Sequence, residues 1–584
     1  MNTYFAITAT LRSRTAIHIG SGRDSPATDA LCRRDAQGNF VIPGTAIGGV
    51  LRSTATRIAP RLFGEKGLCK ALLPKNGKDG AQPFNDGKPC KCAVCDLFGE
   101  INPSEDEEVG RASRLLVAHS KTINTQRRIR DGVGIERSSK TSARAAQAKF
   151  DLETLLRGID FSLRLELEDS REIDQRLLAA VLAEWKEGRL WLGGGVARGL
   201  GAFDLKDLKV VTRDLSNDDA LVEFLKSDKP WASPTVDDYW LDSQLAAGRN
   251  DIKGADGIGD AAHSFVSLKF DLRFKDLFLT NDTVLSTRSG FDHAPLLEVL
   301  IDKESAAILP GSSLRGVLRS QAERIARTLT TLATDNLDQF GQKCPACDPL
   351  QRPRSQAQDT ALASCDSLLK GVLKKPTDEA TDNQLCLACL LFGSTRRGSR
   401  LIVEDAFSQK DLSKKVLDFL AIDRFTGGGK NGAKFDAVAL WQPNFSVRLH
   451  LENPEGWELG WLLLALRDIA DGMVPIGFGG AKGFGQARID KFKLSYGFIT
   501  ENDFAGPIAT AQTEAKPTSG LYRVLSWDTS FTSPNPDFVE IANDWVTGFN
   551  DTVKNFERED SLLLKRDNYF EGDIPQLYRK EATV

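Results

Sequence analysis

Val41-Ile42-Pro43-Gly44-Thr45-Ala46-Ile47-Gly48-Gly49-Val50-Leu51-Arg52-Ser53 and Ile308-Leu309-Pro310-Gly311-Ser312-Ser313-Leu314-Arg315-Gly316-Val317-Leu318-Arg319-Ser320 carry one pattern at identical offsets. An apolar pair runs into Pro-Gly, a hydroxyl residue follows, and Gly-Val-Leu-Arg-Ser closes each stretch. Pro-Gly after an apolar pair reads as the end of a strand and the start of a helix, with Thr45 or Ser312 near the N-cap.

Working outward, four more landmarks recur in the same order, the sign of an internal duplication. An alternating apolar strand precedes each helix, Phe5 to Ile19 and Phe265 to Leu279. A cysteine cluster follows, ending in Cys95-Asp96-Leu97-Phe98-Gly99 and Cys389-Leu390-Leu391-Phe392-Gly393. Next come Ser113-Arg114-Leu115-Leu116-Val117 and Ser399-Arg400-Leu401-Ile402-Val403. Glycine loops close each half, Gly193 to Gly201 and Gly477 to Gly485. A second, largely apolar helix is expected from about Asp174 to Lys186 and from Trp457 to Ala470. Strand–helix–strand–strand–helix–strand is the order of an α+β, ferredoxin-like sandwich. The spacing predicts repeats over 1–212 and 263–498. A polar linker spans 213–262 with a short helix near Asp218–Lys226, and a C-terminal extension spans 499–584. In the extension Phe538, Ile541, Trp545, Phe549 and Phe556 recur at helical spacing, which suits a helix packed on its own core better than one that docks a partner.

The 584 residues carry a net charge of −4, so the chain is not a uniformly basic nucleic-acid coat and any such site must be local. There is no apolar run long enough for a membrane span and no signal-peptide pattern, which points to the cytoplasm. In a reducing compartment, clustered cysteines read as metal ligands. Cys344 and Cys347 pair with Cys386 and Cys389 as two CxxC units, and Cys69, Cys90, Cys92 and Cys95 offer four more thiolates. Each set suffices for a closed, structural Zn2+ site that ties down an insertion without a core of its own. Cys32 and Cys365 fall outside this scheme.

Lys121 to Lys149 has eight basic residues against two acidic, and Lys410 to Lys434 has six against three. Each run holds a related turn, Ile135-Glu136-Arg137 and Ile422-Asp423-Arg424, and then Lys149-Phe150-Asp151 or Lys434-Phe435-Asp436. Recurrence favours phosphate-binding patches over a merely solvated face. The first helices add Arg52, Arg57 and Arg61, and Arg315, Arg319, Arg324 and Arg327. The glycine loops present backbone N–H groups of Gly195, Gly199, Gly479 and Gly483 beside Arg198 or Lys482; the bland alternative is a tight helix-to-strand turn. They are not dinucleotide fingerprints, because strands rather than helices follow. Five scattered histidines exclude an obvious hydrolase triad and leave acidic residues as candidates. Loops after each first strand carry Asp24 and Asp29, and Asp292.

The stretch from Asp29 to Asp35, the Pro-Gly helix start and the closing glycine loop resemble the RAMP superfamily, and more narrowly the backbone subunits of type III CRISPR effector complexes. The tandem form resembles the double-backbone fusion of subtype III-D. The resemblance implies two ferredoxin-like (RRM-like) palms that hold a CRISPR guide RNA. It implies thumb-like insertions in about His119–Phe150 and Ala406–Phe435, and one loop aspartate per repeat that cleaves the opposed target RNA with Mg2+ or another divalent ion. The implied partners are guide RNA, complementary target RNA, other RAMP-type subunits and the large polymerase-like subunit, with no membrane. Asp29 fits the catalytic position. In the second repeat the same register from Pro310 lands on Leu296, and Asp292 fits only if that loop is four residues longer. Thr45, Arg52, Arg137, Gly195, Arg198 and Gly199, with Ser312, Ser313, Arg319, Arg424, Gly479, Lys482 and Gly483, are the expected RNA contacts. A guide-holding scaffold that does not cut, and a guide-processing nuclease, are the competing readings.

Overall fold

The computed structural model describes residues 2–26, 28–69, 90–100, 110–124, 126–137, 140–142, 149–232, 237–252, 261–299, 305–334, 340–350, 362, 364–369, 382–408, 412–505 and 518–558. Two antiparallel sheets repeat one wiring. In the first the strand order is Leu115–Val117, Asp160–Glu168, Thr3–Ser13, Phe203–Asp214. In the second it is Leu401–Val403, Asn444–Glu452, Ser264–Phe274, Ala487–Phe498. The opening strand of each half is therefore central. That position explains its alternation: Phe5, Ile7, Ala9 and Leu11 are buried in one core, and Val266, Leu268, Phe270, Leu272 and Phe274 in the other.

Two helices cover each sheet, Gly44–Phe63 and Glu172–Lys186, then Gly311–Ala333 and Gly456–Ala470. Ile47, Leu51, Ala55, Ile58 and Leu62 form the buried stripe of the first, and Leu314, Leu318, Ala322 and Ala326 that of its counterpart. The helix starts depart from expectation. Pro43 and Pro310 occupy the N-cap positions without side-chain caps, so Thr45 and Ser312 cap nothing. A distant side chain takes the first N–H instead: His119 Nδ1 accepts from Gly44 N at 2.9 Å, and Asp405 Oδ1 from Gly311 N at 2.8 Å.

The 213–262 stretch contains the expected helix Asp218–Lys226 and a second, Trp240–Asn250, whose Trp240, Leu241 and Leu245 join the first core. The extension joins the second core. Strand Tyr522–Thr529 adds to the sheet beside Ala487–Phe498, and helix Pro536–Asn555 lies on Gly456–Ala470, with Trp461 stacked on Phe549 at 5.1 Å. A self-packed helix was the favoured expectation.

Hairpins rise where the thumbs were expected: Arg127–Val133 with Lys149–Leu155, and Ser413–Ile422 with Gly429–Trp441. The first hairpin lies against the second half. Arg130 pairs with Asp405 at 2.5 Å, Arg137 with Glu323 at 2.7 Å, and Arg128 with Asp282. Arg14–Glu404 at 2.6 Å and Arg61–Asp503 at 2.7 Å also join the halves.

Candidate nucleic-acid interface

Asp29 lies exposed in its loop, and its Oδ2 accepts the backbone N–H of Asp151 at 2.8 Å. The next carbonyl, Ala30, accepts from Glu153 N at 2.9 Å. In the second half Asp292 Oδ2 accepts from Asp436 N at 2.9 Å, and the His293 carbonyl from Val438 N at 2.9 Å. The two aspartates hold equivalent places, each in a loop that hydrogen-bonds to the second strand of its hairpin. Across each hairpin a further aspartate faces the partner: Asp131 opposite Asp151, and Asp418 opposite Asp436. Asp29 and Asp131 thus adjoin Asp151 in the first hairpin, and Asp292 and Asp418 take the matching places about Asp436, a gathering invisible to spacing because the residues come from separated segments.

The first trio is electrostatically strained. Burial and then the neighbouring Asp131 carboxylate raise the Asp151 carboxyl above the ordinary aspartate range, with Asp29 adding to the rise against Lys149. The second trio differs. Asp292 N donates back to Asp436 Oδ1 at 2.8 Å, and Lys434 pairs with Asp418 at 3.2 Å.

A glycine loop lies beside each hairpin. Each makes one helical turn, Val196–Arg198 and Gly480–Lys482, between left-handed glycines: Gly195 and Gly199 with φ 74° and 105°, Gly479 and Gly483 with φ 76° and 84°. Strands follow both loops, as expected. Arg198 lies over the Phe150 ring at 4.8 Å, and Lys482 over Phe435 at 5.5 Å. Each phenylalanine precedes the aspartate whose amide the loop carboxylate holds. Carboxylates, an aromatic face and a cation therefore recur together. The Lys149-Phe150-Asp151 and Lys434-Phe435-Asp436 repeats were the available signal.

Other expected RNA contacts sit differently. Gly199 is buried at the junction: a Cβ there would come within 2.3 Å of Asp405 Oδ1. Gly483, its counterpart, faces open space. Arg137 and Arg319 both bind Glu323. Against burial, Arg137, Arg319 and Arg327 hold that carboxyl down at about 2. Arg319 also donates to the Gly393 carbonyl at 2.9 Å and to Cys389 Sγ at 3.4 Å, and Arg52 donates to Cys95 Sγ at 3.6 Å. These helix arginines face cysteines, not solvent. Thr45, Ser312, Arg424 and Lys482 are exposed, and Ser313 is half-buried.

The cysteines form two buried clusters, Cys69–Cys90–Cys92–Cys95 and Cys347–Cys365–Cys386–Cys389, with all sulfurs of each within 4.8 Å of one another. Sulfurs of a tetrahedral zinc site with ~2.3 Å bonds lie about 3.8 Å apart. Cys69–Cys95 at 3.5 Å and Cys347–Cys389 at 3.6 Å suit that geometry. The first set matches the spacing expectation. The second corrects it: Cys365 on the short helix Cys365–Leu369 supplies the fourth thiol, while Cys344 is turned to the Ala346 carbonyl at 3.4 Å. A CxxC pair suggested Cys344, but the chain folds a more distant residue into the set.

A family model described as RAMPs, the RAMP superfamily, matches residues 10–204 and 258–488. The chain belongs to the RAMP superfamily. The two matched blocks fall on the two repeated halves. RAMP proteins bind CRISPR RNA within Cas complexes. No curated protein matches the chain. Among the described residues, no helix is long and apolar enough to cross a membrane.

Proposed function

We propose that this RAMP protein is a tandem backbone subunit of a type III CRISPR effector, and that it holds guide RNA and cuts the paired target RNA. The recurrence of loop aspartate, hairpin aspartates, stacked phenylalanine and loop cation carries the reading. Each half is read as a ferredoxin-like palm with a thumb hairpin. The halves already stack head to tail: the first hairpin and Gly199 meet the helix start and Asp405 of the second half, whereas the second hairpin and Gly483 stay open for a following RAMP-type subunit. The large polymerase-like subunit would join the same assembly.

RNA brings its own nucleophile, the 2′-OH. Asp29, which accepts the Asp151 amide, would take that proton as general base. Arg198 faces the backbone phosphate, and Phe150 offers a ring for a base. Mg2+ or another divalent ion would be held by Asp29, Asp131 and Asp151 and would neutralise charge at the phosphate. In the second half, the hydrogen bond that Asp292 N donates to the Asp436 carboxylate and the Lys434–Asp418 pair favour holding RNA over cutting it. Target cleavage by the reconstituted effector, with Asp29→Ala and Asp292→Ala tested separately, decides. Unchanged products from both variants leave a scaffold that holds guide while other subunits cut.

A further inference from the structure

Residues 556–558 of the C-terminal extension reach the second cysteine cluster. After helix Pro536–Asn555 the chain turns at Phe556 and lies along the helix Phe340–Lys343, which leads into Cys347. Arg558 N donates to the Gln342 carbonyl at 3.1 Å, and Gln342 Nε2 donates to Glu557 Oε1 at 2.8 Å. The Arg558 side chain then enters the interior, where the residue is 7% exposed, and donates to Cys365 Sγ at 3.7 Å. On the far side Arg319 donates to Cys389 Sγ at 3.4 Å.

A buried guanidinium is costly without a counter-charge. Arg319 has Glu323 as well as the cluster. Arg558 meets the sulfur of Cys365, which belongs to the cluster with Cys347, Cys386 and Cys389. Four thiolates around Zn2+ leave a net charge of about −2, and sulfur ligands accept charge-assisted hydrogen bonds that steady them. With neutral thiols, no ion pair would balance Arg558 among the described residues.

We infer that Arg558 is a positioning residue of the second zinc site, so that metal loading fastens residues 556–558 of the C-terminal extension and the fastened segment in turn retains the metal. This rests on reading the second cluster as a zinc site. The zinc content of the unaltered chain tests that separately, because two ions per chain are expected whatever Arg558 does. The same coupling gives Cys365, outside the CxxC pairs, a reason to be a ligand: it is the thiol the extension touches.

The test uses the full chain and two readouts. Zinc transfer to a chromogenic chelator should show one of the two ions leaving about tenfold faster in Arg558→Ala, in the range typical of lost outer-shell partners. Arg558→Lys should restore part of the retention, since it keeps the charge but loses the planar fork. Hydrogen exchange at residues 556–558 should be slow in the zinc-loaded chain and fast after chelation, while the helix Gly456–Ala470 stays protected in both. Unchanged zinc release in Arg558→Ala overturns the inference. So does exchange at 556–558 that ignores loss of the second ion.

Discussion

Asp292 Oδ2 holds the backbone N–H of Asp436 at 2.9 Å, the bond that Asp29 makes to Asp151 at 2.8 Å. The second loop is longer and its sequence unlike the first, yet the hydrogen bond fixes the correspondence that counting back from Pro310 missed. If both loop carboxylates act as bases, each governs its own scission. Asp29→Ala is expected to remove one target product and slow that cut by about 10²–10⁴ fold, the range of lost general-base catalysis. Asp292→Ala is expected to affect a different product and by less. A product ladder from end-labelled target, resolved over time, reads both effects.

The duplication was readable because its marks are local: Pro-Gly starts, alternating strands and paired glycine loops are set by neighbours in sequence. What escaped depends on distant segments. The basic run from Lys121 to Lys149 reads as phosphate-binding, but Arg128, Arg130 and Arg137 meet acids that lie more than a hundred residues away. Arg52 and Arg319 recur beside the recurring cysteine clusters, where they donate to Cys95 Sγ and Cys389 Sγ. Charge and recurrence were correctly seen; their partner was not. Similarly, Cys365 could not be chosen over Cys344 by spacing, because spacing does not show which thiols the fold gathers.

The junction should be strong and asymmetric to mutation. Asp405 is 1% exposed at its side chain and serves both Arg130 and the Gly311 amide. Asp405→Ala strands a buried guanidinium and an uncapped helix start, with an expected cost of about 3–5 kcal/mol. Asp405→Asn keeps an acceptor for Gly311 and should lose less. Chemical denaturation with fluorescence detection ranks the two. Equal losses would mean that the helix start does not use this side chain.

The corrected ligand set predicts an unequal pair of serine substitutions. Cys365→Ser should lower the bound zinc by about one ion per chain, because a closed structural site needs all four thiolates. Cys344→Ser should retain both ions, since its sulfur faces the Ala346 carbonyl rather than the cluster. Elemental analysis of the purified variants measures this directly. A zinc loss confined to Cys344→Ser would restore the CxxC pairing.

The basic residues should separate into two kinds when RNA binding is measured against salt. Lys482 is exposed on the open glycine loop, and Arg198 rests on Phe150 beside the loop aspartate. A side chain that neutralises one phosphate contributes about 0.7–0.9 to the slope of log affinity against log salt. Lys482→Ala and Arg198→Ala should each reduce that slope by about one and weaken guide binding for all sequences alike. Arg319→Ala should leave the slope unchanged, because its guanidinium is occupied by Glu323, Gly393 and Cys389. Its defect should appear instead as zinc loss and a lower melting temperature. Guide affinity by filter binding across a salt series, with a melt of each variant alongside, distinguishes the two kinds. A reduced slope in Arg319→Ala with zinc retained would return that residue to the RNA surface.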